Sequence, residues 1–282
     1  MIKNCTEPVK ITKKDYGNES EFQNTALSHI ELIMGPSINM RGVKENAIIV
    51  SVPRTLKLNG MSKGWTGGIR QLSGQDLGAR GRGMKDANKM DDRNELVRQK
   101  RADKGLSEHL QSTDVVAIPA SGFLEKQGVN YIIETAELDK ALHTKRDTPS
   151  DEHIKEIHKT HLNSLEMALN IKDKAVANDE WKEDVPFTVA FHIPDQIQSG
   201  LTKSAYTEVL AVVLDDFEKE HPGHNLEYKF YVKDREEKIR ESVQNTLEKY
   251  FLSESKKQKS SESKEGGEYV DLSIPPSEES EA

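Results

Sequence analysis

Six apolar runs of strand length limit the folds open to this chain more than any other feature. Several of them are nearly continuous in apolar character instead of alternating, which is typical of strands covered on both faces. The runs are Ile30–Met34, Ala47–Val52, Val115–Ile118, Tyr131–Ile133, Phe187–Ile193 and Tyr228–Val232, and Val9–Ile11 has weaker strand character. Helical segments fall between these runs, and strands that alternate with helices predict an α/β fold with a largely parallel sheet.

Three helices are predicted in the second half of the chain. The first begins near Thr148, which we expect to cap the helix, with Pro149 at its first helical position. The others span Ser204–Glu220 and about Arg235–Phe251. An apolar stripe marks the face that the first helix buries, and its members are Ile154, Ile157, His161, Leu165 and Ala168.

Shifts in composition divide the chain into three parts. Residues 1–28 form a polar extension, residues 29–251 a domain, and residues 252–282 a Ser-, Glu- and Lys-rich tail. The tail has too little apolar surface to offset the entropy of ordering it, so we predict that it is disordered. Within the domain, we predict that residues 78–107 form a surface insertion that contains a helix.

Composition excludes several classes of protein. A net charge of -8 argues against a dedicated nucleic-acid binder, which usually has a basic surplus. Cys5 is alone, which rules out an intramolecular disulfide and a cysteine zinc site. No window approaches the length of apolar sequence that a membrane span needs. These features predict a cytoplasmic protein that does not bind membranes, and the lack of heptads favours a monomer.

A glycine-rich segment, Gly64–Gly74, follows the buried strand run Ala47–Val52. Glycine permits positive φ and has no Cβ to obstruct a ligand. Backbone N–H groups in such a loop, with the start of a following helix, form a cradle for an anion. The segment therefore predicts a phosphate or diphosphate site, with an ordinary turn as the alternative.

Five segments, in chain order, resemble the motifs of the macro domain, an α/β module that binds ADP-ribose. Gly64–Gly74 aligns without a gap with a loop that commonly reads Gly-Val-Asp-Gly-Ala-Ile-His-Arg-Ala-Ala-Gly. Ile197–Leu201 is similar to a second loop of the family, Ile-Ser-Thr-Gly-Ile. The connection from the preceding strand to this loop has one residue more than in the family. The five segments are Ile30–Ile38, Asn46–Arg54, Gly64–Gly74, Gly128–Thr135 and Phe187–Leu201.

The resemblance implies a three-layer α/β/α fold whose mixed sheet has helices on both faces. It also implies that ADP-ribose, or a protein modified with ADP-ribose, is the ligand, and that no cofactor is needed. The ligand contacts that it implies are Gly64, Trp65, Thr66, Gly67, Gly68 and Ile69 in the first loop, Ile197, Gln198, Ser199, Gly200 and Leu201 in the second loop, and Ser37 and Ile38 after the first strand.

Side chains that act in hydrolytic members of the family are replaced here. The Asp that recognises adenine falls at Pro36 or Ser37, and the aromatic residue beside adenine falls near Lys233. The catalytic Asn and the water-positioning Asp fall at Arg54 and Thr66, which are therefore the candidate catalytic residues. Arginine is permanently charged and threonine is not a base near neutral pH, so the backbone half of the site is retained and the side-chain half is changed.

Three functions fit this pattern. The first is binding of ADP-ribose or an ADP-ribosylated protein without turnover. The second is a divergent ADP-ribosyl hydrolase, and the third is an interaction scaffold that has lost the ligand. Trp65 has two candidate roles, to cover the adenine or distal ribose, or to pack in the core.

Three further features of the sequence carry predictions of their own. His153, His158 and His161 share a helix, but no pair of carboxylates has clear ligand spacing nearby, so we predict no metal site. The acidic end, Ser277–Ala282, is similar to the C-terminal signals of bacterial type IV effectors, so secretion into a host cytosol is the alternative localisation. The apolar island Glu268–Leu272 has the character of a short docking motif.

Overall fold

In the computed structural model, the described residues are 9–10, 29–34, 43–57, 64–74, 89–138, 150–194, 200–232 and 241–251. Their strands are β1 Val9–Lys10, β2 Ile30–Met34, β3 Ala47–Val52, β4 Val115–Pro119, β5 Tyr131–Ala136, β6 Phe187–Ile193 and β7 Leu226–Val232. Their helices are α1 Gly64–Gly74, α2 Lys89–Asp103, α3 Gly122–Lys126, α4 Asp151–Ala177 and α5 Lys203–Glu220, with a last helix, α6, over residues 241–251.

The strands form one mixed sheet with the order β1-β2-β7-β6-β3-β5-β4. β2, β7, β6, β3 and β5 run parallel, and β1 and β4 are antiparallel strands at the two edges. Helices pack on both faces, which confirms the predicted three-layer α/β/α class. β1 lies within the predicted N-terminal extension, so at least two residues of that extension belong to the sheet.

Each face of the sheet has its own apolar core. One core joins β6 and β7 to α4, α5 and α6, and it buries Phe191, Phe217 and Phe230 almost completely. The other core joins β3 and β5 to α1, α2 and α3, and it includes Trp65 and Ile69. Alternate residues of β3 point to opposite faces, so Ile48 belongs to one core and Ile49 to the other.

Helix α4 begins two residues later than the sequence predicts. Ser150 is its N-cap, with extended φ and ψ, and its hydroxyl accepts a hydrogen bond from the backbone N–H of His153. The predicted cap, Thr148, and Pro149 lie outside the described residues. None of the helices in the described part of the chain has an apolar stretch long enough to span a bilayer.

His161 fills core space on the apolar stripe of α4, as its spacing predicts. Its Nε2 lies 2.5 Å from the Tyr206 hydroxyl, and its ring packs against Phe191. Burial, with a smaller effect of His158, lowers the pKa of His161 to about 4. Burial also raises the pKa of the Tyr206 hydroxyl, so both partners are neutral at physiological pH.

The buried imidazole predicts an acid-sensitive stability. The folded state resists protonation of His161 until about pH 4, while the unfolded chain takes up the proton near 6.5. The contribution of this group to the free energy of unfolding is therefore fully present above pH 6.5. It is lost as the pH falls toward 4, and the free energy of unfolding drops by roughly 2 kcal/mol between pH 7 and pH 5. Urea unfolding of the wild type and of His161→Gln, which removes this titration, should show different slopes against pH. Parallel slopes would contradict the prediction.

Candidate functional site

The connections of the sheet change direction between β3 and β6. From β6 the chain passes through α5 to β7 on one side, while from β3 it passes through α1, α2, β4 and α3 to β5 on the other side. In open α/β sheets, ligands bind in the crevice at the carboxyl ends of the strands where the direction changes. This topology places the candidate site between the carboxyl ends of β3 and β6.

β3 and β6 are joined at their amino ends and separate toward their carboxyl ends. At the amino end, the Asn46 Oδ1 atom accepts hydrogen bonds from the Thr188 backbone N–H at 2.8 Å and from the Thr188 hydroxyl at 2.9 Å. Pairing then covers only Ala47 and Ile48, whereas β3 pairs with β5 along all six of its residues. The sheet therefore has a crevice at its centre.

The first turn of α1 occupies the inner part of this crevice. The Val52 carbonyl accepts from the Glu137 N–H on the β5 side, so the carbonyls of Ile49 and Ser51 face β6. The pairing of β3 with β6 stops at Ile48, before both residues. Instead, the Trp65 indole N–H donates to Ile49 at 3.0 Å, and the Thr66 hydroxyl donates to Ser51 at 2.8 Å. These two side chains hold the start of α1 between the strands.

The surroundings of Trp65 bear on its two candidate roles. The residue is 6% exposed, and its ring stacks on His192 with centroids 5.2 Å apart and planes 12° apart. Tyr231 packs on the same ring at 5.0 Å. Trp65 is therefore packed in the core beneath the crevice, which favours the packing role over the one in which it covers a bound nucleotide.

The glycine-rich segment is helical, which corrects its prediction as a loop. Helix α1 runs from Gly64 to Gly74, so Gly68 and Ile69 bond within the helix, and Ile69 is completely buried. The first four N–H groups of an α-helix have no partner inside the helix. Within α1 these include the N–H groups of Gly64, Trp65 and Thr66, because the fourth residue of a helix bonds back to the N-cap, as in α4 and α5. Backbone donors for an anion at this point are therefore at the helix N-terminus, whereas the N–H groups of Gly68 and Ile69 bond within the helix.

Helix α5 begins at the same edge of the sheet, after β6. Thr202 is its N-cap, and its hydroxyl accepts from the Ala205 N–H at 3.2 Å. Gly200 has φ +73, a left-handed conformation that glycine adopts without strain. Leu201 is 2% exposed and anchors the turn in the core. Five predicted site residues, Ile197, Gln198, Ser199, Ser37 and Ile38, lie outside the described residues, as do Pro36 and Lys233.

Arg54 lies just beyond the carboxyl end of β3 and is bound on two sides. Its Nη2 is 3.3 Å from the Glu156 Oε1, and its Nε donates to the Glu137 carbonyl at 3.3 Å. The Ser112 hydroxyl also donates to the Glu156 Oε1. These contacts line one wall of a groove of about 380 Å³, whose rim carries Lys155 and Lys159.

Glu156 was not predicted as a site residue. It is 8% exposed on α4, and its Oε2 lies 3.9 Å from the Nδ1 of His153. The sequence signal that identifies Glu156 is a polar stripe on α4, beside the apolar stripe. Its members recur at steps of three and four residues, so they share one face of the helix. The stripe is His153, Glu156, Thr160 and Ser164, all buried.

The spacing of residues around the histidines of α4 predicts no metal site. Among the described residues, Glu166, Glu220 and His221 form a group whose ligand atoms lie within 4.8 Å of one another. The His221 Nε2 is 2.7 Å from the Glu166 Oε1, so an ordinary hydrogen bond accounts for much of this closeness. The group lies where α4 and α5 meet and includes none of the residues that line the crevice.

Solved structures of macrodomains share this fold. An Oceanobacillus iheyensis macrodomain with ADP has a TM-score of 0.53 at 17% identity, over 80% of this chain and 92% of its own. A variant of that macrodomain with ADP-ribose has a TM-score of 0.54 at 15% identity, over 80% of this chain and 95% of its own. A third structure, of the same macrodomain with MES bound, has a TM-score of 0.53 at 17% identity, over 80% of this chain and 93% of its own.

Comparison of sequences alone finds no such likeness, since no family model and no curated protein matches the chain. The likeness in structure spans four fifths of the chain and nearly all of the macrodomains compared. It confirms the resemblance predicted from five short motifs. The chain therefore has the macrodomain fold, in a divergent form.

Proposed function

We propose that this protein binds ADP-ribose, or a protein that carries ADP-ribose, in the crevice between β3 and β6. One observation carries the proposal: the sheet opens where its connections change direction, and α1 and α5 both begin at that opening. On this proposal ADP-ribose is the ligand, and binding requires no cofactor or metal.

A diphosphate suits this arrangement because its two charges can be met by backbone donors. The N-terminus of a helix presents N–H groups and the positive end of its dipole. Hydrogen bonds from such groups to an anion are stronger than those between neutral groups. The start of α1, Gly64–Thr66, supplies donors on the β3 side, and the turn at Gly200 follows β6 in the chain.

Known macrodomains support this choice of ligand. Two of the solved structures that share the fold hold ADP and ADP-ribose. Since the identity to them is 15–17%, they support the class of ligand, while the local geometry of α1 and α5 supports its position here.

Binding is favoured over hydrolysis by the state of the two candidate catalytic residues. The Thr66 hydroxyl donates a hydrogen bond to the Ser51 carbonyl, and the Arg54 guanidinium is paired with Glu156. Each therefore has a structural partner, and neither is a general base. Hydrolysis of an ADP-ribosyl bond and a ligand-free scaffold are the two alternatives that the following experiment separates.

Gly67→Glu is expected to remove ADP-ribose binding without unfolding the protein. The new carboxylate lies in the first turn of α1, where it repels a diphosphate but favours the helix dipole. We expect calorimetric titration to show at least about a 100-fold weaker affinity than wild type, since two unit charges about 4 Å apart near a protein surface interact by about 4 kcal/mol. The thermal unfolding temperature should stay the same or rise.

Gln71→Glu is the matched control for this experiment. It places the same charge on an exposed position of the same helix, two turns from the N-terminus. Equal loss of affinity in both variants would show that the effect is general repulsion and not a local site. No heat from ADP-ribose with folded wild-type protein would reject the free nucleotide as ligand. Release of ADP-ribose from a modified protein by the wild type would establish the hydrolase alternative.

A further inference from the structure

Strand β4 is an edge of the sheet with an outward row of backbone groups. Among the described residues its strand partner is β5, with Val116 opposite Glu134 and Ile118 opposite Ile132. The Ala136 N–H donates to Asp114 and the Ala120 N–H to Asn130, so the even-numbered residues of β4 bond to β5. Val115 and Ala117 therefore present their N–H and C=O groups away from the sheet.

A groove of about 700 Å³ runs along this edge between α2 and α4. One wall is apolar and comes from α4 and β5, with Met167, Ile171 and Tyr131. The other wall comes from the end of α2 and the turn after it, and it includes Leu106, which is 53% exposed. The floor is the edge strand itself. A slot of this shape admits one extended strand between two helices.

The rim of the groove is basic. Lys100 and Lys104 on the α2 side and Lys174 on the α4 side are exposed, against one acidic neighbour, Glu180. Arg101 also lines the groove, but its Nη2 pairs with Asp114 at 2.7 Å. Three exposed lysines around an apolar edge favour an extended segment that is apolar on one side and acidic on the other.

We propose that residues 268–274 of this same chain add to β4 as an extra strand in this groove. The segment reads Glu-Tyr-Val-Asp-Leu-Ser-Ile, which alternates apolar and polar positions, and Pro275 and Pro276 follow it. In an extended strand, Val270, Leu272 and Ile274 point to one face and lie against the apolar α4 wall. Asp271 then points to the opposite face, toward the lysines of α2.

Charge makes the tail selective for this edge. Residues 265–282 contain six acidic residues and no lysine or arginine. They are Glu265, Glu268, Asp271, Glu278, Glu279 and Glu281. The opposite edge of the core sheet already carries β1, which pairs with β2. The groove beside β4 therefore offers both the complementary charge and a row of backbone groups that no described strand pairs with.

The chain between the domain and this segment is long enough. Helix α6 ends at Phe251 on the face of the sheet that also carries α4 and α5. The intervening residues 252–267 can extend to about 50 Å, whereas a sheet of seven strands is about 30 Å wide. A tether of this kind gives an effective concentration of the millimolar order, at which a weak strand pairing is largely occupied.

Amide hydrogen exchange of the full chain tests the proposal. The outward N–H groups of Val115 and Ala117 should exchange at least about tenfold more slowly in the wild type than in a double variant, Val270→Asp with Leu272→Asp. A control with Ser261→Asp and Ser263→Asp adds the same charge outside the island and should keep the protection. Exchange of Ile133 in β5 should be the same in all three proteins.

A variant in the groove provides the reciprocal measurement. Ala117→Pro removes an outward N–H and spares the bonds to β5, a position where an edge strand tolerates proline. It should abolish amide protection of residues 269–274, while the thermal unfolding temperature remains near that of wild type. If the wild type shows no protection at Val115, Ala117 or residues 269–274, the proposal is wrong. Protection that falls on tenfold dilution would also overturn it, in favour of a second copy of the chain.

Discussion

Gly122→Ala is expected to lower the free energy of unfolding by about 3 kcal/mol or more, which is the largest effect of a single methyl group that this structure predicts. Gly122 has φ +62, and a Cβ at this position would lie 2.4 Å from the Ser73 carbonyl oxygen. The obstruction is backbone, so no side chain can rotate away. Urea unfolding monitored by circular dichroism measures the loss.

The cause of this close approach lies in how α3 supports α1. Ser121, the residue before Gly122, donates its hydroxyl hydrogen bond to the same Ser73 carbonyl at 3.0 Å. The start of α3 therefore closes the C-terminal end of α1, whose N-terminal end forms the crevice. We expect Gly122→Ala to weaken ADP-ribose binding as well, through displacement of α1.

Gly105→Ala is the matched control for the conformational part of this effect. Gly105 has φ +69, close to that of Gly122, but a Cβ there meets nothing within 4 Å. Gly105→Ala should lower the free energy of unfolding by roughly 1 kcal/mol, which is the strain of an alanine in the left-handed backbone conformation. Equal losses in the two variants would show that backbone conformation, and not the contact with α1, determines the cost at Gly122.

Trp65→Ala is expected to destabilise the protein by about 3–5 kcal/mol, the usual range for removal of a buried aromatic side chain. The variant loses the stacking on His192 and leaves the Ile49 carbonyl without its donor in the gap between β3 and β6. The start of α1 should then move. Equilibrium unfolding and calorimetric titration with ADP-ribose should therefore both register the change.

Trp65→Phe separates the ring from its hydrogen bond. It retains most of the apolar contact but cannot donate to Ile49, so we expect a loss of about 1–2 kcal/mol. A loss below 1 kcal/mol in Trp65→Ala would contradict the core role of this residue. Unchanged stability with a large loss of ADP-ribose affinity would restore the alternative in which the indole covers the ligand.

Local patterns predicted most of the secondary structure. The runs Ala47–Val52 and Phe187–Ile193 are strands with the predicted bounds. The predicted helix Ser204–Glu220 is α5, which begins one residue earlier. Such elements follow from the spacing of apolar residues over a few turns or strand steps, and that spacing is visible in the sequence. The predicted bounds of the domain and the disorder of residues 252–282 remain predictions.

The candidate site was less predictable because its parts come from distant segments. Arg54 and Glu156 pair across 102 positions, and no local pattern links them. The glycines of Gly64–Gly74 favour a loop by propensity, yet the segment is a helix, because Trp65 and Thr66 find partners on β3 and Ile69 finds a core. Tertiary contacts of this strength override the cost of glycine in a helix.

By itself, the sequence determined the α/β class, the order of the elements and the likeness to a known ADP-ribose module, since these depend on periodicity and short motifs. Only the tertiary structure decided that β3 separates from β6, that Trp65 lies beneath the crevice and that β4 is an edge strand among the described residues. The reason is physical. Periodicity reports which face of an element is buried, whereas the partner of that face depends on packing summed over the whole chain.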